Sequence, residues 1–82
     1  MSPRLRRLSG RDVVRALEHV GFAVVATRGS HTKLARTGKD GERQILTVPL
    51  HKELSVGTIQ AIYRQSLRFV PEGTLRSYFY TD

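Results

Sequence analysis

The sequence predicts an α+β domain in which a three-stranded antiparallel sheet carries two helices on one face, in the order α-β-β-β-α. Two amphipathic runs with helix-capping residues flank a middle third that is rich in β-branched residues. Turns that contain glycine divide this middle third into three short segments. The chain has 82 residues, so we expect a single domain over residues 1–82 with a small core.

The first helix is predicted to begin after Ser9, because Asp12 follows three residues later and gives a pattern like a capping box. Gly21 suits the left-handed position that ends many helices. Between them, apolar residues recur at helical spacing, at Val13, Val14, Ala16, Leu17 and Val20. Residues 1–8 form a basic arm, which we expect to lack fixed structure before Leu8.

Three strands are predicted at residues 22–27, 31–36 and 43–48. A tight turn at 28–30 joins the first two, and a glycine-rich turn at 37–41 joins the last two. Pro49 ends the third strand because it has no backbone N–H. A second helix is predicted from the Ser55 cap to Leu67, and its inner side comprises Val56, Ile59, Ile62, Tyr63 and either Ser66 or Leu67.

Residues 68–82 form a C-terminal extension. Pro71 followed by Glu72 suits the first turn of a helix, so residues 72–80 favour a third helix over a strand. The extension is too apolar for a free tail and is expected to pack on the core or on a partner, through Phe69, Leu75, Tyr78, Phe79 and Tyr80.

The chain is strongly basic, with 14 Lys and Arg against seven Asp and Glu and a net charge of +7. This balance favours an anionic partner, either nucleic acid or an acidic protein. The alternative is a soluble surface that happens to be basic and binds no anionic partner. The absence of cysteine excludes disulfides and thiol chemistry. The three histidines have no ligand spacing on one element, so we expect no metal and no cofactor. No apolar run has membrane-spanning length and no signal core follows the arm, which predicts a cytoplasmic protein.

One stretch in the middle of the chain is the candidate site. In the second strand, period-2 alternation places His31 and Lys33 on one face and Leu34 on the other. If Leu34 faces the core, the imidazole and the ammonium point together to solvent. The preceding turn adds Arg28 and the backbone amides of Gly29 and Ser30. Such a group of side chains suits the handling of phosphate.

Residues from about 8 to 67 carry five short runs in a fixed order: SGRDVVRAL at 9–17, GF at 21–22, RGSH at 28–31, VPLH at 48–51 and LSVGTI at 54–59. In this succession the chain resembles the HicA toxins of bacterial toxin–antitoxin pairs. The resemblance implies a fold similar to double-stranded-RNA-binding domains and a ribosome-independent mRNA interferase activity. It also implies that His31 is the essential histidine, that His51 is a second family histidine, and that a HicB antitoxin covers the active site. Residues 68–82 depart from the family's usual ending.

Cleavage of RNA needs no metal, because the 2′-hydroxyl can attack the adjacent phosphate while a histidine moves the proton. His31 is the candidate for that role, whereas Lys33 fits either a transition-state contact or general phosphate steering. His51 fits either a second acid–base group or a structural role in its loop. The alternative function is a non-catalytic RNA-binding module with the same fold, although no Lys-rich run opens the second helix.

Overall fold

The computed structural model describes residues 2–81 and places three helices beside two small sheets in this part of the chain. The elements follow in the order β1 (Arg4–Leu5), α1 (Gly10–His19), β2 (Ala23–Arg28), β3 (His31–Thr37), β4 (Arg43–Pro49), α2 (Val56–Ser66), α3 (Glu72–Phe79) and β5 (Tyr80–Thr81). Strands β2, β3 and β4 form the main sheet in that order, with antiparallel neighbours. The predicted α+β class and the α-β-β-β-α order are confirmed, and β1 and β5 add a two-stranded sheet.

The core lies between the helices and one face of the main sheet, which we call the inner face. On β3 and β4 buried residues alternate with exposed ones, and the buried ones are Thr32, Leu34, Gln44, Leu46 and Val48. Leu17 of α1 and Ile59 of α2 belong to the same core. Leu34 is fully buried, as the alternation predicted. Burial of one such side chain contributes about 1.5–3 kcal/mol, so the inner face supplies much of the stability of this small domain.

Helix α1 begins and ends at the predicted residues. The Ser9 hydroxyl accepts a hydrogen bond from the Asp12 N–H at 3.0 Å, and the Asp12 carboxylate accepts one from the Ser9 N–H at 2.9 Å. The pKa of Asp12 is held below its ordinary value, chiefly by the hydrogen bond from the Ser9 N–H and next by the interaction with the Ser9 side chain. Gly21 has a φ of 102°, the left-handed conformation that its position after the helix requires. The capping-box prediction is therefore confirmed.

The prediction that the basic arm lacks fixed structure before Leu8 is wrong. Arg4–Leu5 pairs with Tyr80–Thr81, and the Arg6 N–H donates to the Phe79 carbonyl at 2.8 Å. The partner strand lies at the opposite end of the chain, so no local pattern around the arm indicates the pairing. Leu8 is buried and belongs to the core.

The C-terminal extension packs on the domain's own core. Helix α3 confirms the predicted helix, and its residues Leu75 and Phe79 are fully buried. The Tyr63 hydroxyl of α2 donates to the Glu72 carboxylate at 3.1 Å. Burial, and then this hydrogen bond, raise the pKa of Tyr63. Of the two alternatives for the aromatic residues of the extension, packing on the core or on a partner, the structure shows packing on the core.

Most of the predicted inner side of α2 is buried, namely Ile59, Ile62, Tyr63 and Ser66. Of the pair Ser66 and Leu67, it is Ser66 that faces inward, where its hydroxyl donates to the Ile62 carbonyl at 2.7 Å. Val56 is 61% exposed, so its predicted inward position is wrong. Val56 is the first residue of α2, three positions before the buried Ile59. None of the helices in residues 2–81 is long and apolar enough to cross a membrane.

Candidate functional site on the outer face of the sheet

The side chains of His31, Lys33 and Arg28 meet on the face of the main sheet that points away from the core, which we call the outer face. His31 and Lys33 are exposed residues of β3, and Arg28 lies opposite His31 on β2. Together with Ala26 and Thr47 they line an open concavity of about 340 Å³. The structure thus brings together the three side chains that the sequence singled out for phosphate handling.

A two-residue turn fixes the positions of Arg28 and His31. These two residues pair directly, so Gly29 and Ser30 form the whole connection between β2 and β3. Gly29 has a φ of 58°, while Ser30 has no positive φ, which is the pattern of a type II′ hairpin turn. The Ser30 carbonyl accepts a hydrogen bond from the Leu50 N–H. The loop that follows β4 is therefore tied to the turn that presents His31.

A β-bulge in β2 changes the alternation of side chains before the Arg28–His31 pair. The register with β3 shifts between Val24 and Ala26, so that Val25 has no direct cross-strand partner. One extra residue reverses the alternation of side chains beyond it. Arg28 shares the outer face with its direct partner His31, and the bulge allows Val24, which pairs with Leu34, to lie on the inner side. The bulge therefore lets both ends of β2 pair with β3 in the observed register.

The concavity has a positive electrostatic character. Neither Arg28 nor Lys33 forms a salt bridge with an acidic residue in the described part of the chain. Residues two apart on a strand are separated by about 7 Å, so His31 and Lys33 can face the same phosphate group or adjacent ones. An anion that enters this concavity would therefore meet two cationic groups and an imidazole.

Sequence reasoning missed Thr47 and Ala26 as residues of this concavity. Thr47 lies between the inward-facing Leu46 and Val48, so the alternation along β4 already placed it on the outer face. Its position next to Lys33 follows from the pairing register of β3 with β4. That register depends on the length of the intervening turn and could not be read from alternation alone.

His51 is exposed and does not line the concavity. Its backbone carbonyl accepts a hydrogen bond from the Gly10 N–H at 2.9 Å. A Cβ at Gly10 would collide with the carbonyl of Pro49, so α1 begins in close contact with the end of β4. The segment around His51 therefore joins α1 to the sheet. Among residues 2–81, no group of three His, Cys, Asp or Glu side chains is placed to hold a metal ion.

The comparison with family models assigns the chain to a family. A model described as "HicA toxin of bacterial toxin-antitoxin" matches residues 10–66, which is more than half of the chain. The match runs from the first residue of α1 to the last residue of α2, so it includes the whole main sheet and the turn before His31. A comparison with curated proteins found no match. The chain belongs to the HicA toxin family and is the toxin of a bacterial toxin–antitoxin system.

Proposed function

We propose that this toxin is an mRNA interferase, a metal-independent endoribonuclease that uses His31 as its acid–base group. The observation that carries the proposal is the shared concavity of His31, Lys33 and Arg28 on the outer face. Membership of the HicA family supports a toxic activity for the chain. The net charge of +7 supports a polyanionic substrate.

In the proposed reaction, the RNA supplies its own nucleophile. The His31 imidazole accepts the proton of a 2′-hydroxyl while the 2′-oxygen attacks the adjacent phosphorus. The bond from phosphorus to the 5′-oxygen then breaks, and the 5′-oxygen takes up a proton. The products are a 2′,3′-cyclic phosphate and a 5′-hydroxyl. Imidazole suits this reaction because it can accept and release a proton near neutral pH.

Lys33 and Arg28 would stabilise the negative charge that accumulates on the phosphate oxygens during the attack. Groups that are already fixed in position do this best, because they need not reorganise as the charge develops. The pairing of Arg28 with His31 across a two-residue turn fixes the backbone position from which the Arg28 side chain extends. In the same turn, the backbone amides of Gly29 and Ser30 are further candidate donors to the phosphate.

We propose a structural role for His51 rather than a second acid–base role. The hydrogen bond from Gly10 to its carbonyl, and the position of its side chain outside the concavity, support this choice. The proton for the leaving oxygen would then come from solvent or from the protonated His31. Substitution His51→Ala tests this choice: the exposed side chain is removed while the backbone carbonyl that Gly10 contacts is kept, so we expect little change in stability and an unchanged pH profile of cleavage.

We further propose a HicB-type antitoxin as the neutralising partner, acting in the cytoplasm where mRNA is available. An antitoxin with an acidic surface would complement the positive concavity and exclude RNA from His31. Co-expression should then restore growth of a host that the toxin arrests.

The direct test is incubation of the purified protein with labelled RNA in excess EDTA. Wild type is compared with His31→Ala and with Thr37→Ala, a control at the far end of the same strand. An all-deoxy strand of the same sequence serves as the substrate control. We expect wild type and Thr37→Ala to cut RNA only, and His31→Ala to cut neither strand. Equal binding of RNA by all three proteins without cleavage would contradict the proposal and favour the non-catalytic RNA-binding module.

A further inference from the structure

A second concavity, of about 320 Å³, lies on the side of the molecule formed by α1, α3 and the arm. We call it the α1–α3 cleft. Its polar lining includes Arg6, Arg7, Arg15 and Asp12, and its aromatic lining consists of His19 and Tyr78. The proposed cleavage reaction uses none of these residues. The combination of several cations with aromatic rings suits an anionic ligand with a planar group.

The two rings form a stack inside this cleft. The centroids of His19 and Tyr78 are 5.5 Å apart and their planes differ by only 10°. His19 is the last residue of α1 and Tyr78 belongs to α3, so the stack joins two packed helices. His19 is exposed and Tyr78 is half-buried, which leaves the stack accessible from the cleft.

Two arginines of the cleft have exposed side chains that an anion could reach. The side chains of Arg7 and Arg15 are 92% and 67% exposed, although the Arg7 Nε lies 3.8 Å from the Glu53 carboxylate. Arg6 is more fixed, because its guanidinium donates to the Ser77 carbonyl at 3.2 Å. The carboxylate of Asp12 opposes these charges, but it accepts the Ser9 N–H and lies 3.5 Å from the Arg15 guanidinium. Three arginines and one carboxylate line the cleft, and Glu53 pairs with Arg7 from outside the lining, so the lining itself is positive.

A groove adjoins the α1–α3 cleft and ends beside Thr27 and Thr32, on the face of the sheet opposite the concavity around His31. It has a volume of about 380 Å³ and includes Arg11, Arg15, Thr27 and Thr32. Arg15 also lines the cleft. The Thr27–Thr32 pair lies next to the Arg28–His31 pair in the sheet, on the opposite face. A flexible strand that leaves His31 around the turn would therefore follow basic side chains to the cleft.

We infer that the α1–α3 cleft binds one nucleotide of a single-stranded RNA whose other end occupies the concavity at His31. The base extends the His19–Tyr78 stack, and the phosphate contacts Arg7 and Arg15. Stacking on aromatic rings combined with a basic path is the usual way in which proteins hold single strands without reading their sequence. This inference rests on the proposed function for the identity of the ligand.

The test measures the affinity of the full chain for an RNA of about 16 nucleotides in which every 2′-hydroxyl is methylated, a length typical of single-strand sites. Methylation removes the nucleophile, so binding is measured without cleavage. One variant combines Arg7→Ser with Arg15→Ser, and a second carries Tyr78→Leu, which keeps an apolar side chain and removes the ring. The matched control combines Arg43→Ser with Arg64→Ser, because it removes the same charge from residues outside the cleft. Thermal unfolding establishes that each variant is folded.

We expect each cleft variant to bind about tenfold more weakly than wild type, the change expected for loss of one stacked base or its phosphate contacts. For the control pair, the decrease in log affinity for the methylated RNA should be less than half of the decrease for the cleft pair. Equal losses in the cleft pair and the control pair would overturn the inference, as would wild-type affinity in the cleft pair. Unchanged RNA affinity with weaker binding of the antitoxin would overturn it in favour of a protein-docking cleft. If Tyr78→Leu does not fold, the arginine pair alone decides the outcome.

Cleavage of the unmodified RNA by wild type is measured in parallel. If wild type fails to cleave while the cleft variants still lose affinity, the proposed function is wrong and the cleft remains an RNA site. If wild type cleaves and the cleft variants bind normally, only the cleft inference is wrong.

Discussion

The inner and outer faces of the main sheet differ in chemistry although the same strands form both. Along β3, the exposed His31 and Lys33 alternate with Thr32 and Leu34, which are 2% and 0% exposed. The inner side chains hold the domain together, whereas the outer ones face solvent and share an open concavity. Adjacent residues of one strand therefore have separate roles: the inner ones stabilise the fold and, in our proposal, the outer ones act in catalysis. Substitutions one position apart should have separable effects.

The largest expected effect is the loss of activity in His31→Ala. Removal of a general acid–base group lowers the rate by about 10²–10⁴-fold. Because His31 is exposed, the free energy of unfolding should change by less than about 0.5 kcal/mol. RNA cleavage and chemical denaturation of the same preparation check both values. If His31→Ala lost activity because it unfolded, the claim that the outer face does not contribute to stability would be contradicted.

Leu34→Ala should have the opposite pattern. Truncation of this fully buried side chain leaves a cavity and should lower the free energy of unfolding by about 2–5 kcal/mol. Any fraction that remains folded should cleave RNA at the normal rate, because the outer face is retained. The midpoint of urea denaturation gives the first quantity and single-turnover cleavage the second. A stable Leu34→Ala protein with a damaged catalytic rate would show that the faces are coupled.

An intermediate effect is expected for Lys33→Gln. We expect about a tenfold loss in kcat/KM, the size of one charge-assisted hydrogen bond. The slope of log affinity against log salt should also become less steep by about 0.7, the value for one phosphate contact on a single strand. Lys39→Gln, in the turn at the other end of β3, is the matched control and should change neither quantity. A similar loss in both variants would mean that Lys33 contributes only general positive charge.

The smallest effect concerns Asp12, which lies on neither face. Because its pKa is lowered in the folded state, its carboxylate stabilises the fold at pH values above about 4, and acid removes this contribution. Asp12→Asn should therefore cost about 1 kcal/mol at neutral pH and progressively less as the pH falls towards 3. Denaturation of both proteins across this range checks the convergence. Parallel curves for the two proteins would show that the charge of Asp12 does not matter.

Local patterns predicted much of the fold. The Ser9–Asp12 capping box and the Gly21 cap depend on neighbouring residues only, and both are present. The inward positions of Leu34 and Leu46 followed from alternation against a single core. These features could be predicted because the residues that determine them lie within a few positions of one another.

Features that depend on distant residues could not be predicted. The pairing of Arg4–Leu5 with Tyr80–Thr81 joins two-residue strands from opposite ends of the chain. The bulge at Val25 has no glycine or proline to mark it, yet it determines which residues of β2 face inward before the turn. Thr47 entered the candidate site only through the register between two strands. The sequence thus indicated the candidate residues, while the arrangement around them depends on tertiary structure.

The central claim is that His31 promotes attack by a 2′-hydroxyl of RNA, and the chemistry of the cleavage products tests it most directly. An RNA with a single 2′-deoxynucleotide at the main cleavage site is incubated with wild type in EDTA, beside the unmodified strand, and the product ends are identified by mass spectrometry. We predict a 2′,3′-cyclic phosphate and a 5′-hydroxyl from the unmodified strand, and no cleavage at the deoxynucleotide. Cleavage at the deoxynucleotide, or a 3′-hydroxyl opposite a 5′-phosphate, would contradict the claim.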